Sequence, residues 1–397
     1  MALYLKKNGH DVCIYEKNSF AGGILKDSEN NNNIFLTGTQ YLDSNEEWFK
    51  EINKIDKDLI SADYSYGSYT NLNKRENFSE EYALPVFKIK IDEVTKLDYK
   101  NKILSLLDHI KLYPEKIYKS LKVFLENSEL ELNSISNICK GNLGISRIGA
   151  LNNIDKLLIL KKKKMFDDIY AVNRERIYKN KLKYSIPSNG YDNFFKKIQI
   201  FFKKKKINIF LRKKVIPVKT HNGFDLKIDN KILKFDYIFW SGNPTPLIKE
   251  YFNKKLDSFV FRTTQISANL NTTVDKFKFI QVYKKKCKIF RISLYKIKNI
   301  SKINIECFFN KDDPKNIIDD SLKILKKFNI TLSYDKNSIS NFFLPRFDIF
   351  TNRDQLLIDS FLNKTKKTNL LYSPWTTYGR TEKLYKILKN LKSKKII

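Results

Sequence analysis

Apolar and polar positions define a series of short elements along the chain. The first residues read MALYLKKNG: Ala2, Leu3 and Leu5 are apolar, Lys6 and Lys7 polar, and Asn8-Gly9 is a stop, the pattern of the end of an amphipathic helix. Residues 11–15 (DVCIY) predict a short buried strand. After the polar loop 30–33, residues 34–42 (IFLTGTQYL) predict a strand running into Gly38-Thr39-Gln40-Tyr41. Ser44 followed by Glu47 is a capping box that opens a helix through Trp48 and Ile52. From about 60 to 180 short strands such as 83–91 alternate with lysine-rich helical stretches over 103–113, 114–127 and 154–169. Residues 184–190 (YSIPSNG) precede a helix over 191–203. Strands are expected at 207–210, at Val215 and Val218, at 224–228 after a turn at Asn222-Gly223, and at 235–240. Residues 255–345 read as a mixed sheet with helices. A helix near 355–362, the segment 369–375 and a helix from about Thr381 close the chain.

Length and composition change this picture in a few places. The 397 residues suit two domains or one large α/β domain with an insertion, and 42% hydrophobic content is enough for a sizeable core. No run of 18 apolar residues occurs, so no transmembrane helix is predicted, no signal peptide is evident, and a cytoplasmic location is expected. The net charge of +32 raises the question of nucleic acid. Lysine far outnumbers arginine, the basic residues are spread along the chain, and no helix-turn-helix, zinc or single-strand-binding pattern accompanies them. A specific nucleic-acid role is therefore not expected. Codon composition accounts for much of the excess, and the field still suits nucleotide-sugars, phosphates or peripheral association with an anionic membrane. Cys13, Cys139, Cys287 and Cys307 are far apart and form no C-x-x-C, and His10, His109 and His221 have no partners at ligand spacing, so no metal or dithiol site is expected.

Candidate chemistry begins at Glu16, which ends the predicted strand 11–15 and is followed by Lys17 and, six residues on, by Gly22-Gly23. An acid at the end of the second strand of a Rossmann unit accepts hydrogen bonds from ribose hydroxyls. Alone, Glu16 reads as a solvated acid; beside Gly9 and Gly22-Gly23 the cofactor reading is preferred. The constellation resembles the FAD-binding start of the flavin amine oxidase, protoporphyrinogen oxidase and UDP-galactopyranose mutase superfamily. There the order is strand, G-x-G-x-x-G, helix, strand ending in Glu, then Gly-Gly. The first strand and the glycine-rich loop have no counterpart here, which reads as a late start codon or a fragment in preference to a degenerate relative.

The resemblance resumes at residues 184–246, which are similar to the family pattern Y-x-P-x-G-G, helix, strand, hairpin and strand, departing from it at Asn189. It implies FAD as cofactor, bound by Glu16 at the adenosine ribose and by Lys17, Gly22 and Gly23 in the loop that follows. Val215 would meet the adenine through its backbone, and Ser241 would end a strand near the cofactor. Gly38, Thr39 and Gln40 would lie near the flavin ring, although Gly38 also reads as an ordinary strand-to-turn glycine. The family's closing G-D or G-R pair is replaced by Ser373-Pro374-Trp375, which puts Trp375 at the flavin end; Gly379-Arg380 lies further on. Arg262 and Arg291 stand out where arginine is scarce and are candidate substrate-binding residues, the alternative being a surface ion pair.

The expected class is thus α/β: a Rossmann-like FAD-binding domain, incomplete at its N-terminus, from residues 1–60, 180–250 and 345–397. An inserted α+β substrate domain takes 61–179 and 251–344. The implied function is FAD-dependent hydride transfer on a small molecule, with no side-chain base visible. Alternatives are a sugar-nucleotide mutase-like enzyme of surface polysaccharide biosynthesis, acting on a nucleotide-sugar, and a non-catalytic or fragmentary relative.

Overall fold

The computed structural model describes residues 1–30, 33–37, 41–43, 47–73, 75–79, 105–145, 158–163, 166–167, 183–275, 277–309, 311–372, 375 and 380–397. The strand expected over 83–91, Ser44 of the expected capping box and half of the 154–169 helix lie outside these residues.

The N-terminal pattern folds as its spacing requires: helix α1 (Ala2–Lys7), then strand β1 (Cys13–Tyr15). A hairpin of β2 (Asp27–Asn30) and β3 (Asn33–Leu36) follows. The expected 34–42 strand divides, because β3 ends at Leu36 and a separate short strand β4 (Leu42–Asp43) pairs elsewhere. Helix α2 (Glu47–Ile55) leads to the long β5 (Leu59–Asn73), which turns back as β6 (Arg75–Ser79). Two helices then pack on each other through Leu106, Ile110, Ile117 and Leu121: α3 (Leu106–Lys111) and α4 (Glu115–Leu125). Ser105 opens α3 with a capping box to Asp108.

Strand β7 (Lys183–Pro187) runs into α5 (Gly190–Lys204). Asn189 makes no side-chain cap; the α5 N-terminus is satisfied by Asp27 of β2, whose carboxylate accepts from the Tyr191 and Asp192 amides at 2.8 and 3.0 Å. Gly190 sits at φ +81, and a Cβ there would fall 2.2 Å from the Asp27 Oδ2. The motif glycine is thus a matter of closeness as well as dihedral. Burial pushes the Asp27 carboxyl up to about 6, against the pull of the two amides.

After α5 come β8 (Asn208–Phe210), a three-stranded antiparallel sheet of β9 (Val215–Thr220), β10 (Gly223–Ile228) and β11 (Lys231–Leu233), and β12 (Ile238–Trp240). The strand expected over 235–240 is shorter than its apolar run, since the Phe235 carbonyl accepts from the Asn369 side-chain amide instead of from a ladder. Helix α6 (Thr245–Phe252) precedes four long antiparallel or parallel-paired strands, β13 (Phe259–Asn269), β14 (Phe277–Tyr283), β15 (Ile289–Ile297) and β16 (Ile300–Phe308). Then follow α7 (Pro314–Lys326), β17 (Ser340–Ile349), α8 (Asn352–Lys364), β18 (Leu370–Tyr372) and α9 (Arg380–Ser393).

Two parallel pairs, β1 with β8 and β12 with β18, lie apart from a nine-stranded sheet ordered β17-β13-β16-β15-β14-β5-β7-β4, with β6 on β5. The boundary drawn from sequence at 345 falls inside β17, which ladders to β13 as far as Ile349; β4 and β7 likewise belong to the large sheet. Alternation divides that sheet cleanly. Ile266, Ile280, Val282, Ile292, Ile303 and Ile305 face α7, whose Ile318 and Leu325 complete an apolar layer. The opposite face is buried too, yet largely polar. Among the described residues no helix is long and apolar enough to cross a membrane.

Candidate cofactor and substrate site

The chain leaves β1 at Glu16. The Glu16 amide donates to the Phe210 carbonyl at 2.9 Å, and its own carbonyl accepts from Lys213 N at 2.8 Å. One carboxylate oxygen accepts from the Asn18 amide at 2.8 Å, and the Asn18 carbonyl accepts from Arg212 N at 2.9 Å. These bonds dock the loop after β1 on the loop before β9, so Glu16 and Val215 share one corner, with Lys17 exposed beside it. Gly22, at φ +130, packs on α5: a Cβ would lie 2.6 Å from the Phe195 ring. Gly23 is exposed, with open space where a Cβ would stand.

A second corner forms at the end of β12. Ser241 and Gly242 are exposed, the Trp375 indole donates to the Gly242 carbonyl at 2.8 Å, and its ring stacks on Tyr372 at 5.2 Å. The two corners belong to neighbouring ladders. The Tyr15 ring meets Phe235 edge-on at 6.3 Å, and Met1 and Leu5 of α1 share an apolar cluster with Phe239 and Leu371. Both corners lie at the carboxyl ends of parallel strands, where open α/β sheets bind ligands. Gly38, Thr39 and Gln40 lie outside the described residues.

The polar face of the large sheet is a second candidate region. Register places Gln281, Arg291, Glu306 and Gln265 in one row across β14, β15, β16 and β13. Phe279, Ser293, Asn304 and Ser267 form the next row, and Tyr295 and Lys302 belong to the one beyond. This face meets β3: the Leu36 carbonyl accepts from Gln265 Nε2 at 3.0 Å, and the Leu36 amide donates to the Tyr295 hydroxyl at 3.2 Å. The Lys302 ammonium donates to Asn269 Oδ1 at 2.7 Å and lies 4.5 Å from the Phe35 ring centroid; burial pulls its pKa down to about 8.

Arg291 is buried. Its Nη1 reaches both Glu306 oxygens, at 3.1 and 2.9 Å, and its guanidinium lies over Phe279 and Phe290 at 4.8 and 5.4 Å. Arg346 Nη2 reaches the same carboxylate at 3.4 Å. The expected pair of Arg262 with Arg291 is not assembled: Arg262 sits at a bulge of β13 with its side chain exposed, and Arg346 takes its place. Around this triad several buried polar atoms have no hydrogen-bond partner among the described residues: Arg291 Nε, Gln281 Oε1, Ser293 Oγ and Thr263 Oγ1. Such groups are rare in folded interiors and concentrate where a protein meets a ligand or ordered water.

Sequence reading missed Glu306, Gln281 and Arg346. Glu306 alternates with Ile305 and Cys307 as a solvent-facing acid of a half-exposed strand would, and only the ladder shows that both faces are interior. No cluster of His, Cys, Asp or Glu suited to a metal ion occurs among the described residues.

The corner at Glu16 suits the adenosine half of a dinucleotide: a half-buried carboxylate with one oxygen held by its own loop and the other open, next to a strand start at Val215. The described residues include no glycine-rich cradle for the diphosphate.

No protein-family model matches the chain, and no curated protein matches it. Solved structures do. An oxidoreductase from Methanosarcina mazei is similar with TM-score 0.50 and 12% identity, over 87% of this chain and 85% of that one. A double mutant and a triple mutant of putrescine oxidase, redesigned in cofactor binding, are similar with TM-scores 0.54 and 0.52. Each is 9% identical, over 100% of this chain and 95% of theirs. At these identities the likeness is one of fold, and the chain has the α/β fold of these proteins.

Proposed function

We propose that the chain is an FAD-dependent oxidoreductase of the flavin amine oxidase type, acting on a small molecule. The observation that carries this reading is the corner where β1 delivers Glu16 beside Val215, at the carboxyl end of a parallel ladder. The putrescine oxidase likeness supports the same reading at the level of fold. Bound FAD would supply the hydride or electron-pair acceptor. The chain's own residues would bind and orient. Glu16 accepts from the ribose hydroxyls, Val215 meets the adenine through its backbone, and Ser241 and Trp375 stand at the next strand end. The substrate would lie against the polar face, where Gln281, Ser293 and Thr263 offer unpaired buried groups and Glu306 fixes the Arg291 guanidinium. In the mutase-like alternative Arg291 would grip a diphosphate; its engagement by Glu306 favours the oxidoreductase reading.

The two ladders bear on how the diphosphate is held. β1 and β12 each have an edge without a ladder partner among the described residues, and β1 is only half-buried. Strands of a covered parallel sheet are buried on both faces. One further parallel strand between β1 and β12 would satisfy both edges and lead its turn to the phosphate position. Titration of FAD by quenching of flavin fluorescence tests the Glu16 role. Glu16→Ala is expected to weaken binding at least about tenfold, the value of one charge-assisted hydrogen bond pair. Equal affinity of the two proteins would contradict it.

A further inference from the structure

Among the described residues, the β11-β10-β9 sheet is covered on one face only. Pro217, Phe224, Leu226 and Ile228 are buried beneath it. On the other face Ile216 and Ile232 stand on either side of Lys227 in one cross-strand row. They are 46% and 57% exposed. The two-residue period carries Lys214 and Lys234, both exposed, onto that face beside them. The acids nearby are Asp225, one row away opposite Val218, and Asp229 at the β10–β11 turn, which is paired with Lys213. Two aliphatic side chains flanking a lysine, with Lys214 just before β9 and Lys234 just after β11 in the neighbouring rows, form an amphipathic surface that leaves apolar area in water.

Local charge exceeds what a uniformly lysine-rich chain supplies. Residues 196–234 hold 13 Lys and Arg against 2 Asp and no Glu, so about a tenth of the chain carries +11 of its +32. Lys203, Lys204, Lys205 and Lys206 are all exposed at the end of α5, just before β8.

We infer that this face docks on an anionic lipid surface, with Ile216 and Ile232 entering the headgroup layer and Lys214, Lys227 and Lys234 meeting lipid phosphates. Branched aliphatic side chains gain from burial in a headgroup–acyl boundary and offer no ring for base stacking, which favours lipid over nucleic acid. The expected strength follows from about 1 kcal/mol per basic residue near an anionic surface, or roughly fivefold each.

Co-sedimentation of the whole chain with vesicles tests this, using phosphatidylcholine alone or with about a quarter phosphatidylserine. Binding is expected to the anionic vesicles only. Replacing Lys214, Lys227 and Lys234 together by Glu is expected to weaken it roughly a hundredfold or more. Ile216→Ser with Ile232→Ser, at unchanged charge, is expected to weaken it at least about tenfold. A charge-matched control, Lys311→Glu with Lys315→Glu and Lys336→Glu, is expected to lose far less. All these side chains are surface-exposed, except that Lys227 is half-buried, and circular dichroism checks that each variant folds. The inference is overturned if anionic vesicles are not bound, or if the control triple loses as much as the face triple. It is also overturned if the isoleucine pair has no effect, or if the face binds duplex DNA in place of vesicles.

Discussion

His109 is the clearest single-residue case in which burial decides chemistry. It is 1% exposed in α3, its ring meets Tyr113 edge-on at 5.9 Å, and neither ring nitrogen has a hydrogen-bond partner among the described residues. Burial, with the Lys140 charge adding to it, holds its pKa well below the usual histidine value. The unfolded chain therefore takes up this proton first as pH falls. The stability contribution is present above about 6.5 and lost below it, by up to about 1.4 kcal/mol per pH unit. Urea unfolding at pH 7.5 and 5.5 should show this loss in the native protein and a shallower dependence in His109→Leu; equal dependence would contradict the assignment. Glu306 is the second case. Glu306→Gln leaves the Arg291 and Arg346 guanidinium groups without their shared anion and should cost about 3–5 kcal/mol. A loss under about 1 kcal/mol in denaturant unfolding would mean the triad is not as described.

At the scale of elements, α5 depends on a residue remote in sequence. Asp27 caps it from β2, and Gly190 makes room for the carboxylate. Asp27→Ala should cost about 1 kcal/mol, as loss of an N-cap does, and Gly190→Ala roughly 1–3 kcal/mol from strained backbone and the clash together. Thermal unfolding of both variants measures this; a neutral Gly190→Ala would contradict the packing. The helix and its glycine were legible in YSIPSNG, because propensity and turn chemistry are local. Asp27 was not, because nothing near it in sequence marks it as a cap. The same division runs through the fold. The short elements β8 and β10 and the start of α9 follow from local periodicity to within a residue, whereas β1, expected over 11–15, is only Cys13–Tyr15. The nine-stranded sheet was seen only as mixed, since strands buried on both faces lose the alternation that reveals register. Glu16 was singled out at the end of a predicted strand, and Val215 through the family resemblance alone. The row from Gln281 to Glu306 was not, because pairing alone brings it together.

For the whole molecule, the proposed function rests on FAD binding at the β1 and β12 strand ends. The most direct measurement is the visible absorption spectrum of the purified protein after incubation with FAD and gel filtration. It should be taken on the chain as given and on a form lengthened upstream through any in-frame G-x-G-x-x-G. Retained flavin absorption bands are expected in the lengthened form, with Glu16→Ala removing most of them. A protein that retains no flavin in either form would contradict it.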